Sequence, residues 1–232
     1  MPFTLAHPAA VLPLRRYCPR LLSFRALVVG SIVPDVAYCF RNSHVDEFAH
    51  SWIGSVGFAL PVGIIALFLL SFCSAPVVRI LPPRYRAAFL PLCERPLGSP
   101  FVVVISLLIG AWTHLLLDSM THKYGGIVGH LSSLQIPLAT FRNHAVKVHH
   151  VLWYACSFLG VAWLCFAYQS WRNKVSNRQT SYGLKLFNAI LFGVLVVPVA
   201  VIHHAVGGVW GALIVALSSV LLLAGAVWRI TG

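Results

Sequence analysis

Acid is scarce in this chain. Five Asp and Glu residues stand among 232, against seventeen Lys and Arg, for a formal net charge of +12. Charged residues make up 9% of the whole, where a soluble domain carries about 25%. That excludes an ordinary water-soluble domain. Paired thiols are missing too. The six cysteines, Cys18, Cys39, Cys73, Cys93, Cys156 and Cys165, form no C-x-x-C pair, which argues against a zinc cluster or a disulfide framework. They read as small apolar residues in or beside apolar runs. Tyr38 stands where a lipoprotein anchor at Cys39 needs a small residue. An ordinary signal peptide is also excluded, because Arg15 and Arg16 come late and Pro34-Asp35 interrupts the apolar run that follows. No basic face lies outside the apolar segments, so nucleic acid is not the expected partner.

What is present is apolar length. The chain is 59% hydrophobic, and a membrane crossing needs about 20 residues. Runs over 53–73, 99–117, 151–168, 184–206 and 209–228 qualify as spans. The segments 8–14 and 27–40 are shorter and predict a helical hairpin around the basic turn 15–25. The expected fold is therefore all-α: a polytopic membrane helix bundle of five transmembrane helices plus an N-terminal helical hairpin. It forms one integral membrane domain over 1–232, with the hairpin in 1–40 and the bundle in 50–228.

Basic residues orient the spans. Arg15, Arg16, Arg20 and Arg25 form one group; Arg79, Arg84, Arg86 and Arg95 a second; Arg172, Lys174, Arg178 and Lys185 a third; Arg229 ends the chain's last run. The positive-inside rule places all four in the cytoplasm, facing anionic lipid. The loop 119–150 is then outside. All eleven histidines fall outside the basic groups, which predicts a polar site at the outer face.

The residues that carry chemistry follow from spacing. His114 and Asp118 lie four apart near the end of an apolar run. On a helix they share a face one turn apart, and ionisable groups within a span are usually functional. His122 continues the same stripe. Asp35 follows Pro34, where the helix cannot keep its hydrogen bonding. His7 precedes Pro8, a first-turn residue. In the segment HVDEFAHSW, Asp46 and Glu47 lie four and three residues before His50. Both carboxylates are within reach of the ring if this segment opens the next helix, and a carboxylate behind a histidine fixes its tautomer for a metal. Histidines with carboxylates suit a divalent metal, zinc by default with manganese or iron as alternatives. Asp46 or Glu47 is the expected general base. His149-His150 and His203-His204 are adjacent pairs, so at most one of each faces the site.

These residues also carry a resemblance. The TxxHP of 4–8, the GSxxPD of 30–35, the His50-Ser51 pair and the HxxxDSxTH of 114–122 resemble the DUF4184 family of bacterial membrane proteins. That family is similar in turn to the YdjM-like membrane-bound metal-dependent hydrolases. The resemblance implies a multi-pass protein of the bacterial inner (cytoplasmic) membrane. It implies metal ligands at His7, Asp35, His50, His114 and Asp118. The YdjM-like pattern usually has a second acid shortly after Pro-Asp. Ala37 stands there instead, which weighs against a full two-metal site. The function expected is hydrolysis of a lipid-linked ester or phosphodiester at the outer face. A transporter and a non-catalytic metal-binding or structural membrane protein stand as alternatives. Substrate, partners beyond membrane lipid, and oligomeric state are left open.

Overall fold

A computed structural model describes residues 3–40, 43–81, 83–123, 125–141 and 144–175. Among the described residues three stretches are long and apolar enough to cross a membrane, and they match the first three expected spans. The expected spans 184–206 and 209–228, and with them His203 and His204, lie outside the described residues.

The N-terminal part departs from a simple hairpin. A 3-10 turn (Thr4–Ala6), α1 (Pro8–Val11) and a second 3-10 stretch (Leu12–Tyr17) lead to the basic turn. The expected second arm is split in two: α2 (Phe24–Gly30), then a 3-10 stretch (Val33–Phe40). Pro34 explains the split. It has no N–H to give to the carbonyl four residues back, so the chain tightens and Asp35 N bonds Ile32 O, three back, at 3.1 Å.

The segment holding Asp46 and His50 is not the start of the next span but a separate helix, α3 (Ser43–Ala49). Ser51 then caps α4 (Trp52–Gly54), its hydroxyl accepting from Gly54 N at 2.9 Å. A Cβ on Gly54 would collide with the Phe48 carbonyl, so glycine permits the tight passage between the two helices. A π-turn (Ser55–Ala59) follows, then α5 (Leu60–Ile80). Pro61 cannot donate within α5, and the wide turn just before it takes up the mismatch. Ile65, Phe68, Leu69 and Phe72 face outward from α5, as a lipid-facing surface requires.

After α6 (Pro83–Cys93) comes α7 (Pro100–Thr121). Ser99 caps it and Pro100 occupies its first turn. The loop expected over 119–150 contains α8 (Gly126–His130), a 3-10 turn (Ser132–Gln135) and an antiparallel pair, β1 (Pro137–Phe141) with β2 (His144–Lys147). The fold is thus mostly helical rather than all-α. The third span is α9 (Val148–Val175).

Short α2 sits at the centre. Its Leu27 packs with Val11 and Leu22 against Ile105 and Ile109, and its Ala26 packs with Leu67 and Leu107. Gly30 and Gly110 let α2 and α7 touch backbone to backbone, since a Cβ on either would collide with the other helix. Ser106 Oγ accepts from Ser23 N at 2.8 Å, and Ser157 Oγ from Phe3 N at 2.9 Å, joining α7 and α9 to the N-terminal segment. The Arg25 guanidinium donates to the carbonyls of Cys93 and Arg95. The first two basic groups therefore meet at one end of the bundle. Asp35 is at the other.

Candidate metal centre

Three elements deliver one cluster of four side chains. The 3-10 stretch after Pro34 supplies Asp35, the end of α3 supplies His50, and the last turns of α7 supply His114 and Asp118. One ligand atom from each lies within 4.8 Å of every other. His114 Nε2 is 3.2 Å from Asp35 Oδ1 and 3.3 Å from Asp118 Oδ2. His50 Nε2 is 3.4 Å from Asp35 Oδ1 and 3.7 Å from Asp118 Oδ2. A tetrahedral ion with bonds of about 2.0–2.1 Å separates its ligands by about 3.3–3.4 Å. Four of the six ligand pairs thus stand at 3.2–3.7 Å, close to tetrahedral edges, and the other two pairs lie within 4.8 Å.

The outer nitrogens of both rings are tied down. His114 Nδ1 donates to Ser31 O at 2.9 Å. His50 Nδ1 donates to Asp46 O at 2.9 Å, with Asp46 Oδ1 alongside at 3.0 Å. That holds Nδ1 protonated and turns the Nε2 lone pairs inward, the arrangement of histidine ligands with a supporting second contact. Asp35 Oδ2, Asp118 Oδ1 and His114 Nε2 are buried without a hydrogen bond. Buried polar atoms in such a state ordinarily have a partner, and a divalent cation among the four side chains would supply one for His114 Nε2.

Charge tells the same story. Burial pushes the Asp35 carboxyl up, but His114 and His50 outweigh it and hold the group below the usual carboxylate range. Burial lowers His50, yet its contacts with Asp35 and the Asp46 backbone prevail and raise it above an ordinary imidazole. Asp46, half-buried, is raised chiefly by burial. Two ionised carboxylates pointed at one spot offset a divalent charge.

The other expected residues divide. His7 is fully buried and stacks on His114, with ring centroids 3.8 Å apart and planes at 20°. Its Nε2 is 3.7 Å from Asp118 Oδ1, and neither ring nitrogen has a hydrogen bond. Burial, then the neighbouring His114, lowers it to about 3, so it stays neutral. Asp46 supports His50, whereas Glu47 is exposed on α3 and is not the carboxylate at that ring. His122 Nδ1 lies 3.7 Å from Asp118 Oδ1. His149 and His150 pack on each other, with His149 Nδ1 on Leu134 O at 3.0 Å, and take no part in the four-residue group.

Two contributors escape a reading of the sequence. Tyr38 places its hydroxyl 3.4 Å from His50 Nε2. Its signal was the i, i+3 spacing from Asp35, which shares a face on a 3-10 helix. Ser31 contributes a backbone oxygen, for which the side-chain pattern holds no signal.

A helical membrane protein with a buried two-histidine, two-aspartate cluster able to hold a metal is the class that fold and site define. A family model described as a domain of unknown function, DUF4184, matches residues 1–230, and the chain belongs to that family. No curated protein matches the chain. No solved structure matches it either.

Proposed function

We propose that this protein is a membrane-bound, metal-dependent hydrolase, with its site at the outer face of a bacterial cytoplasmic membrane and five crossings in all. The near-tetrahedral spacing of Asp35, His50, His114 and Asp118 carries the reading. Zinc is the ion its mixed imidazole and carboxylate donors suit. Such an ion supplies Lewis acidity: it lowers the pKa of water toward about 7 and polarises a phosphoryl or acyl oxygen. Ser31 and Asp46 aim the two rings. Tyr38, half-exposed beside His50, offers its O–H to a substrate oxygen. Asp46 acts through His50 as a positioning residue, which leaves Glu47, on the solvent side of α3, as the candidate base.

Location supports a lipid-linked ester or phosphodiester. The cluster is at the start of the first span and the end of the second. Trp52 and Trp112, exposed and 6.3 Å apart, stand at that end, as indole rings do at a membrane surface.

The test uses purified protein in lipid nanodiscs. Wild type should contain zinc and hydrolyse chromogenic phosphodiesters or acyl esters, lose activity with a chelator and regain it with added zinc. Asp118→Asn should insert normally, keep its fold and lose the metal. Full metal in Asp118→Asn, or activity indifferent to chelation, would sink the proposal. If the cluster were a helix clamp alone, Asn would still bond His114 and the variant would behave as wild type.

A further inference from the structure

His7 is hard to account for as a fifth ligand to the same ion. The lone pair of an imidazole nitrogen lies in the ring plane, so a cation sits near the plane of every ring that binds it. His50 and His114 satisfy that condition together, with rings 5.4 Å apart and inclined at 49°. His7 and His114 do not. Their planes, inclined at 20° with centroids 3.8 Å apart, meet about 10 Å away, far beyond a metal–nitrogen bond of about 2.0–2.1 Å.

Asp118 shows where His7 points instead. Its two oxygens serve different neighbours. Oδ2 faces His114 Nε2 and His50 Nε2 at 3.3 and 3.7 Å. Oδ1 faces His7 Nε2 at 3.7 Å; His122 Nδ1 is as near but donates to the Asp118 backbone carbonyl at 3.0 Å. Oδ1 and both nitrogens of His7 are buried without a hydrogen bond. Burying a polar ring at zero exposure with no partner is costly, and stacking alone would be served as well by an apolar ring.

We infer that Asp118 bridges two divalent cations, the second held by Asp118 Oδ1 and His7 Nε2, with His122 at its rim. This rests on the metal-centre reading above and extends it. Bridged ions lie about 3.5–4 Å apart and clamp the attacking and leaving oxygens of an in-line displacement. The substrate class this favours is a phosphate ester over a carboxylic ester. With two firm protein ligands, the second position keeps sites open for water or substrate and holds its ion more weakly than the first.

The experiment counts ions. The full chain in nanodiscs, stripped with a chelator, is titrated with MnCl2, and bound Mn(II) is followed by elemental analysis and low-temperature electron paramagnetic resonance. Two ions per chain with a spin-coupled spectrum are expected. His7→Phe, which keeps the stacked ring, should retain one ion and lose the coupling. His7→Gln should do the same and covers the case in which His7→Phe does not fold. One ion in wild type, with an uncoupled spectrum, overturns the second position and leaves the first standing. Loss of every ion in a folded His7 variant places His7 on the first ion and overturns the inference. Two coupled ions in the His7 variants remove His7 from the site. No bound ion in wild type sinks both readings.

Discussion

His50 shows how a single side chain sets the working range of the site. Asp35 and the Asp46 backbone hold its proton more tightly than usual, and a cation must displace that proton. The sign follows. In the bare protein, protonated His50 contributes stability that is fully present below the ordinary imidazole value and lost as pH rises through the raised one. Cation binding gains over that same interval. The rise in melting temperature on adding zinc should therefore grow as pH climbs from below the ordinary imidazole value of about 6.5 through the raised one of His50, and thermal scans across that rise check it. Removing the charge behind the ring tests the same support. Asp46→Asn should weaken metal binding by about 10–100-fold without changing the number of ions bound, as read by competition with a chromogenic chelator. His114 and Asp118 were legible in the sequence because four-residue spacing on a helix fixes their neighbourhood. His7 was legible as a histidine at a helix start, but its stack on a ring 107 positions later depends on packing that local spacing does not encode.

At the scale of elements, the crossing of α2 and α7 governs the cluster. Gly30 and Gly110 bring the two backbones together, and the Ser31 O to His114 Nδ1 bond lies one turn further on. A Cβ at Gly110 would meet Leu27 O and come within 2.8 Å of Ser31 N. Gly110→Ala should cost about 1–3 kcal/mol and also weaken metal binding by tilting His114. Gly129→Ala, with nothing within 4 Å of its Cβ, should do neither. Thermal shift and metal titration on both variants read the difference. The three described spans were legible because apolar length is a strong signal. The separation of α3 from α4 was not, since the break rests on Ser51 turning its hydroxyl onto Gly54 N. The strands β1 and β2 were missed because four or five residues are too few for alternation to stand out from a loop.

For the whole molecule, sidedness is the main expectation. Arg25 bonds the last carbonyl of α6 and that of Arg95 just beyond it, so the basic groups around 15–25 and 79–95 share one end of the bundle while the cluster occupies the other. Reporter fusions at Arg86 should report cytoplasm and fusions at Ser133 the outside. The reverse pattern would put the site on the cytoplasmic face. The general plan was readable from charge and hydropathy. The central place of α2 was not, because seven residues rising about 1.5 Å each cannot cross a bilayer and so gave no span.

That buried short helix has a bearing on the order of events during synthesis. Asp35 leaves the ribosome 79 residues before His114, and Phe3 leaves it 154 residues before Ser157. The N-terminal segment is thus made long before the helices that enclose it. Its contacts with α7 and α9 can form only once those helices have been made. The site is consequently a late product of assembly: until α7 is in place only Asp35 and His50 of the four are present, so any ion held by all four would be taken up after that.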